Sequence, residues 1–149
     1  MIQIINLGVK IPGFISKTTL KQNLKTLAKS EGKALKDISV VFTDDDYLLE
    51  VNKQYLNHDY YTDVITFDYS VFPEVSGDIM ISLDRVKENA DTLSVSFQEE
   101  LNRVVYHGLL HLCGYKDKSA ADEKLMRKKE NYYLELFVEV IFVSMLLLT

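Results

Sequence analysis

The sequence predicts an α+β fold, a mixed sheet of about four strands with helices packed on it. Three observations predict it. Short β-branched apolar runs alternate with longer amphipathic stretches in the order β-α-β-α-β-β-α-α-α. Two of the runs, Asp63–Tyr69 and Gly77–Leu83, stand so close in the chain that an antiparallel pair joins them most simply. No repeat, low-complexity stretch or linker interrupts the 149 residues, so one domain spanning 1–149 is expected.

Taken in order, Ile2–Asn6 reads as a first strand. Ser16 can cap a helix running to about Glu31, with Leu20, Leu24, Leu27 and Ala28 on one face, and Gly32 stops it. Ile38–Thr43 is a second strand, rich in β-branched residues. Asp44–Asp46 opens a helix through about Tyr55, its acids at the positive end of the dipole. Asp63–Tyr69 alternates as a strand should, and Gly77–Leu83 follows after a turn containing Pro73. Ser82 or Asp84 starts a short helix to about Leu93. Ser96 and Glu99 form a capping box that opens a helix to about Cys113, where Gly114 ends it. A last helix is expected from Ser119 to Phe137, followed by an apolar tail, 137–149. That tail is too short for a membrane span, which needs about 20 apolar residues. It is expected to pack on this domain or on a second copy.

Apolar residues make up 47% of the chain and charged residues 26%, the balance of a soluble globular protein rather than a disordered one. Cys113 is the only cysteine, so no internal disulfide can form. With a first segment that lacks the pattern of a signal peptide, this makes the cytoplasm the expected compartment. The net charge of −5 argues mildly against a general nucleic-acid binder, but the charge is uneven. Residues 1–43 hold seven lysines against Glu31 and Asp37, while the remainder holds 10 basic and 20 acidic residues. A basic patch can therefore sit on an acidic protein.

The segment that carries chemistry is His107-Gly108-Leu109-Leu110-His111-Leu112-Cys113-Gly114-Tyr115-Lys116-Asp117. On a helix His107 and His111 sit one turn apart and about 40° around the axis, so both imidazoles can reach one ion. Leu101, Val104, Val105 and Leu112 form the buried stripe beside them. Gly108 lies within that stripe and lets the helix approach a sheet closely. Cys113 reads as core. Gly114 can take the left-handed conformation that ends a helix, which brings Asp117 back to the same ion. Three protein ligands leave a coordination position for water. Two histidines at this spacing are also common as partly buried polar residues, and the glycine and the third ligand-type residue favour metal. One divalent ion is expected. Zinc suits the imidazoles, and the Asp117 carboxylate widens the choice towards manganese.

Here the sequence resembles the YbeY family, also called the ribosomal RNA maturation factor family, over about residues 36–130. Family members carry His-Gly-x-Leu-His-Leu-x-Gly-Tyr-Asp-His, met here by His107 to Asp117. Their Thr-Asp-Val-Leu-Ser-Phe block is met by Thr62-Asp63-Val64-Ile65-Thr66-Phe67, and their Gly-Asp-Ile by Gly77-Asp78-Ile79. Met126 and Glu130 match the closing helix. The resemblance implies a zincin-like α/β fold, a bound zinc ion and single-strand endoribonuclease activity. It also implies work on the 3′ end of small-subunit ribosomal RNA and in ribosome quality control, with the ribosome and its assembly proteins as partners. Two departures stand out. Asp117 replaces the third histidine, with Lys116 before it, and Tyr55 is followed by Leu56 where the family has a phosphate-binding arginine. His58 is a candidate substitute.

No residue is assigned as base. Peptide-cleaving zincins place glutamate after the first histidine, and this chain has Gly108 there. Asp78 and Asp63 are candidates for a base or for orienting neighbours. Lys17, Lys21, Lys25 and Lys29 recur every four residues, and Lys116 and Lys118 bracket Asp117, all suitable for phosphate. The leading expectation is a metal-dependent endoribonuclease. A metalloprotease and a non-catalytic ribosome-assembly factor with a structural metal are the alternatives.

Overall fold

The computed structural model describes residues 1–148 and, of these, the side chains of all but 139–146 and 148. Four strands, β1 (Ile2–Asn6), β2 (Ala34–Thr43), β3 (Val64–Asp68) and β4 (Glu74–Ser82), form one mixed sheet in the order β1-β2-β4-β3. β2 runs parallel to both β1 and β4, and only β3 is antiparallel, against β4. The expected β3–β4 pair is therefore present, with Ile65 opposite Met80 and Phe67 opposite Asp78.

A parallel pair needs a long crossover. α1 (Lys17–Ser30) supplies the one between β1 and β2, capped by Ser16 as expected, with Leu20, Leu24, Leu27 and Ala28 buried. Side-chain alternation gives β4 two working faces. Gly77, Ile79 and Ile81 point into the main core with α1 and α4 (Phe97–Leu112). On the other face Ile65 packs with Leu48 and Val51 of α2 (Asp45–Leu56), beside Phe67 and Met80. α3 (Leu83–Leu93) lies against α4 and is capped by Ser82, while Asp84 accepts a hydrogen bond from the Asp45 backbone N–H at 3.1 Å.

The close approach expected at Gly108 is built. A Cβ there would stand 2.6 Å from Ile79 Cγ2, so only glycine lets α4 lie this near β4. Gly77 is tighter still, because a Cβ would meet the Phe67 carbonyl oxygen at 2.3 Å.

Three boundaries differ from the sequence reading. β2 begins at Ala34, not Ile38, because its polar first half pairs with Glu74 and Val75 across a register shift. β4 likewise begins at Glu74, where Val75 is fully buried. α5 (Ala120–Leu148) continues past Phe137 without a break. Met126, Glu130, Tyr133 and Phe137 form its buried stripe. How the apolar tail packs falls mostly on side chains outside the described residues. Among the described residues no helix is long and apolar enough to cross a membrane.

Candidate metal centre

α4 ends where its sequence says it should. Gly114 adopts φ +113°, and the N–H groups of Gly114 and Tyr115 close on the carbonyls of His111 and Leu110 at 3.0 and 3.1 Å. The chain then doubles back, and Asp117 Oδ2 comes to 3.4 Å from His107 Nε2 and 3.3 Å from His111 Nε2. One donor atom from each of the three residues lies within 4.8 Å of the others. Ligands about 2.0–2.1 Å from a zinc at tetrahedral corners stand roughly 3.3–3.4 Å apart, so the carboxylate oxygen is at a tetrahedral edge length from both rings.

The other ring nitrogens are committed. His107 Nδ1 lies 2.7 Å from Glu130 Oε2, and His111 Nδ1 lies 2.7 Å from the Tyr115 carbonyl oxygen. An ionised carboxylate and a carbonyl only accept, so both Nδ1 atoms carry a proton, and the neutral form of each ring offers its Nε2 lone pair towards Asp117. Hydrogen bonds of this kind fix the tautomer and ring orientation of ligating histidines. The residues present thus fit a divalent ion in both donor type and spacing.

Burial opposes charge on His107, but its hydrogen bond to Glu130 and the charges of Glu130, Asp117 and Asp63 outweigh this and raise its pKa. Burial pushes the Glu130 carboxyl up, and the bond to His107, with Arg127 and Arg103, pulls it below its ordinary value. Arg103 Nη1 reaches Glu130 Oε1 at 3.2 Å and Asn131 Oδ1 at 2.8 Å. Burial holds the Asp63 carboxyl above its usual range, only partly offset by His107.

A second cluster braces the turn from behind. Tyr115 donates its hydroxyl to Glu31 Oε1 at 2.5 Å, Tyr133 donates to Glu31 Oε2, and Lys129 Nζ lies 3.3 Å from that oxygen. Glu31, at the end of α1, thereby ties α1 and α5 to Tyr115, the residue whose carbonyl orients His111.

A cleft of about 640 Å³ opens beside the centre, lined by Asp63, His107, Asp117, Arg103, Arg127 and Glu130 among others. Asp63 is thus placed at the site. Asp78 is not. It lies one residue before Ile79 on β4 and so faces the α2 side of the sheet, away from α4. Its expected base or orienting role at the metal is corrected on that ground. His58 is exposed, stacked on Tyr60 and bonded to its hydroxyl at 2.9 Å, and does not line the cleft. Leu56 is 40% exposed and makes no replacement for the missing arginine. Lys116 and Lys118 flank Asp117 and are exposed. The sequence reading missed Arg103 and the contacts of Glu130. Arg103 stands four residues before His107 on the same helix face, a signal that was present. Glu130 comes from another helix, and its contact had none.

The chain matches the family described as Endoribonuclease YbeY over residues 6–138. The chain belongs to the YbeY family. Relatives named Endoribonuclease YbeY include one from Flavobacterium psychrophilum, 62% identical over 108 residues, covering 72% of this chain and 77% of the relative. One from Parabacteroides distasonis is 45% identical, covering 88% and 92%. The solution structure of TM1509 from Thermotoga maritima superposes with a TM-score of 0.68 at 30% identity, covering 97% of this chain and 93% of that one. Against the YbeY pattern, the structure shows why Asp117 can replace a histidine. Its shorter side chain still brings an oxygen to both Nε2 atoms.

Proposed function

We propose that this YbeY-family chain is a metal-dependent endoribonuclease that cuts single-stranded RNA during maturation of the 3′ end of small-subunit ribosomal RNA and in ribosome quality control. The cytoplasm is its proposed compartment. Family membership supports the RNA substrate. The observation that carries the metal dependence is the pair of 3.3 and 3.4 Å contacts from one Asp117 oxygen to two Nε2 atoms whose partner nitrogens are already engaged.

A divalent ion held by His107, His111 and Asp117 would polarise a phosphoryl oxygen and lower the pKa of a bound water towards neutrality. Zinc is the proposed ion, with manganese compatible with the carboxylate. Glu130 and the Tyr115 carbonyl orient the two imidazoles. Arg127 and Lys124, which line the cleft, offer positive charge to phosphate where Leu56 offers none. Asp63 and Glu100, their pKa values raised by burial, are cleft carboxyls suited to hold a proton during strand cleavage.

Proteolysis is disfavoured by packing as well as by sequence. The glutamate base of peptide-cleaving zincins would stand at 108, where even a Cβ meets Ile79 at 2.6 Å. The assembly-factor alternative is separated by experiment. Purified protein should contain about one divalent ion per chain by elemental analysis and should cut single-stranded RNA, with cutting abolished by chelator. His107→Ala and His111→Ala should both lose the ion. Full metal content in either variant refutes the ligand assignment. RNA cutting that survives in His111→Ala refutes catalysis at this centre, and wild-type protein that binds ribosomes but cuts no RNA leaves the assembly-factor alternative.

A further inference from the structure

Lys21, Lys25 and Lys29 stand one helical turn apart along α1, and Lys33 continues the row past Gly32. They line a groove of about 540 Å³ beside Ala34 and Leu35, and no acidic side chain lines it. Lys17, a turn earlier, falls outside, and Lys33, which the periodicity omitted, falls inside. Three other lysines are paired: Lys36 with Glu74, Lys53 with Glu50 and Asp59, and Lys129 with Glu31. Among the described residues none of Lys17, Lys21, Lys25, Lys29 and Lys33 has a carboxylate oxygen within 4.0 Å. On a chain of net charge −5 this is a concentrated, uncompensated row. Like charges at this spacing oppose helix formation, so the row works against its own element.

The Lys29–Lys33 end of the groove lies beside the metal turn, on its Glu31 side. Lys29 and Lys33 flank Glu31, which receives the Tyr115 hydroxyl two residues before Asp117. Lys33 Nζ lies 4.2 Å from the centroid of the Phe72 ring, and a Cβ on Gly114 would lie 3.6 Å from that ring. Steps of four helical residues place the ammonium groups about 6 Å apart, comparable with the phosphate spacing of an extended single strand. The groove lining contains no aromatic side chain, so contacts there would be to backbone and indifferent to base.

We propose that the Lys21–Lys25–Lys29–Lys33 groove is a track for the phosphate backbone of single-stranded RNA, feeding the strand to the His107–His111–Asp117 turn. This rests on the endoribonuclease reading above, and the test keeps the two apart. Binding of a fluorescent 2′-O-methyl oligouridine to the full chain is measured by anisotropy across a salt series, for wild type and for K21Q/K25Q/K29Q. Three lost phosphate contacts should flatten the slope of log K against log salt by about 2, at roughly 0.7 each. Thermal unfolding of the variant should be unchanged or higher. Lys25→Gln alone, with a slope change of about 0.7, serves if the triple variant fails to fold. Cutting of a long single strand should show a raised KM with kcat preserved, while a trinucleotide that reaches only the cleft is cut as before. An unchanged slope overturns the track. So does polyglutamate of equal charge binding more tightly than the RNA, which would mark an acidic-protein surface instead. If wild type cuts no RNA yet the slope still flattens in the variant, the endoribonuclease reading fails and the binding surface stands.

Discussion

At the scale of single residues, the centre depends on which nitrogen of each histidine is spoken for. Glu130 is the decisive outside partner, because its carboxylate holds His107 Nδ1 at 2.7 Å while Arg103 and Arg127 hold the carboxylate. Glu130→Gln keeps an acceptor but removes the charge that raises the basicity of the ring. It should weaken zinc binding about 10- to 100-fold, read by competition with a chromophoric chelator. Unchanged affinity would mean that His107 is oriented by packing alone. His107, His111 and Asp117 were legible from spacing, since all three lie within eleven residues. Asp78 was misplaced because a motif does not reveal which sheet face a strand residue takes. That depends on the β3–β4 register and on the helix beneath.

At the scale of elements, two glycines set the distance between α4 and the sheet. Gly108 meets a side chain, Ile79 Cγ2, and Gly77 meets backbone, the Phe67 carbonyl. Alanine at 108 gains roughly 1 kcal/mol of helix propensity but overpacks the core by about 1–3 kcal/mol. The net loss should be small and relieved by Ile79→Ala in a double-mutant cycle. Gly77→Ala has no yielding neighbour on the backbone side and should cost more than Gly108→Ala in urea unfolding. The reverse ranking would show that β3 shifts to accommodate it. Helix starts at Ser16, Asp44, Ser82 and Ser96 were readable because capping is local chemistry. The starts of β2 and β4 were not, since Ala34–Asp37 and Glu74–Ser76 become strand only by pairing with each other.

Across the whole molecule, Glu31 joins elements far apart in the chain, receiving Tyr115, Tyr133 and Lys129 from residues 84 to 102 positions away. Burial raises its pKa, but the two tyrosine hydroxyls and Lys129 outweigh this and leave it below the ordinary value. A depressed folded-state pKa contributes stability that is complete above the unfolded value, about 4.3, and is lost as pH falls through the lower folded value. Glu31→Gln should therefore cost about 2 kcal/mol at neutral pH and make metal-free protein less sensitive to acid below about pH 4. An identical acid-unfolding profile in the variant would remove Glu31 from the brace. The sequence by itself determined the α+β class, the helix caps, the His107–His111–Asp117 group that could hold a metal and the uneven charge, because each is written in residues within a few turns of one another. Only the tertiary structure decided that β2 lies parallel between β1 and β4, that Asp63 rather than Asp78 lines the cleft beside the centre, and that Glu31, Arg103 and Glu130 support it. Those contacts join residues tens of positions apart, and such pairings exist only once the sheet order and the packing of helices on it are settled.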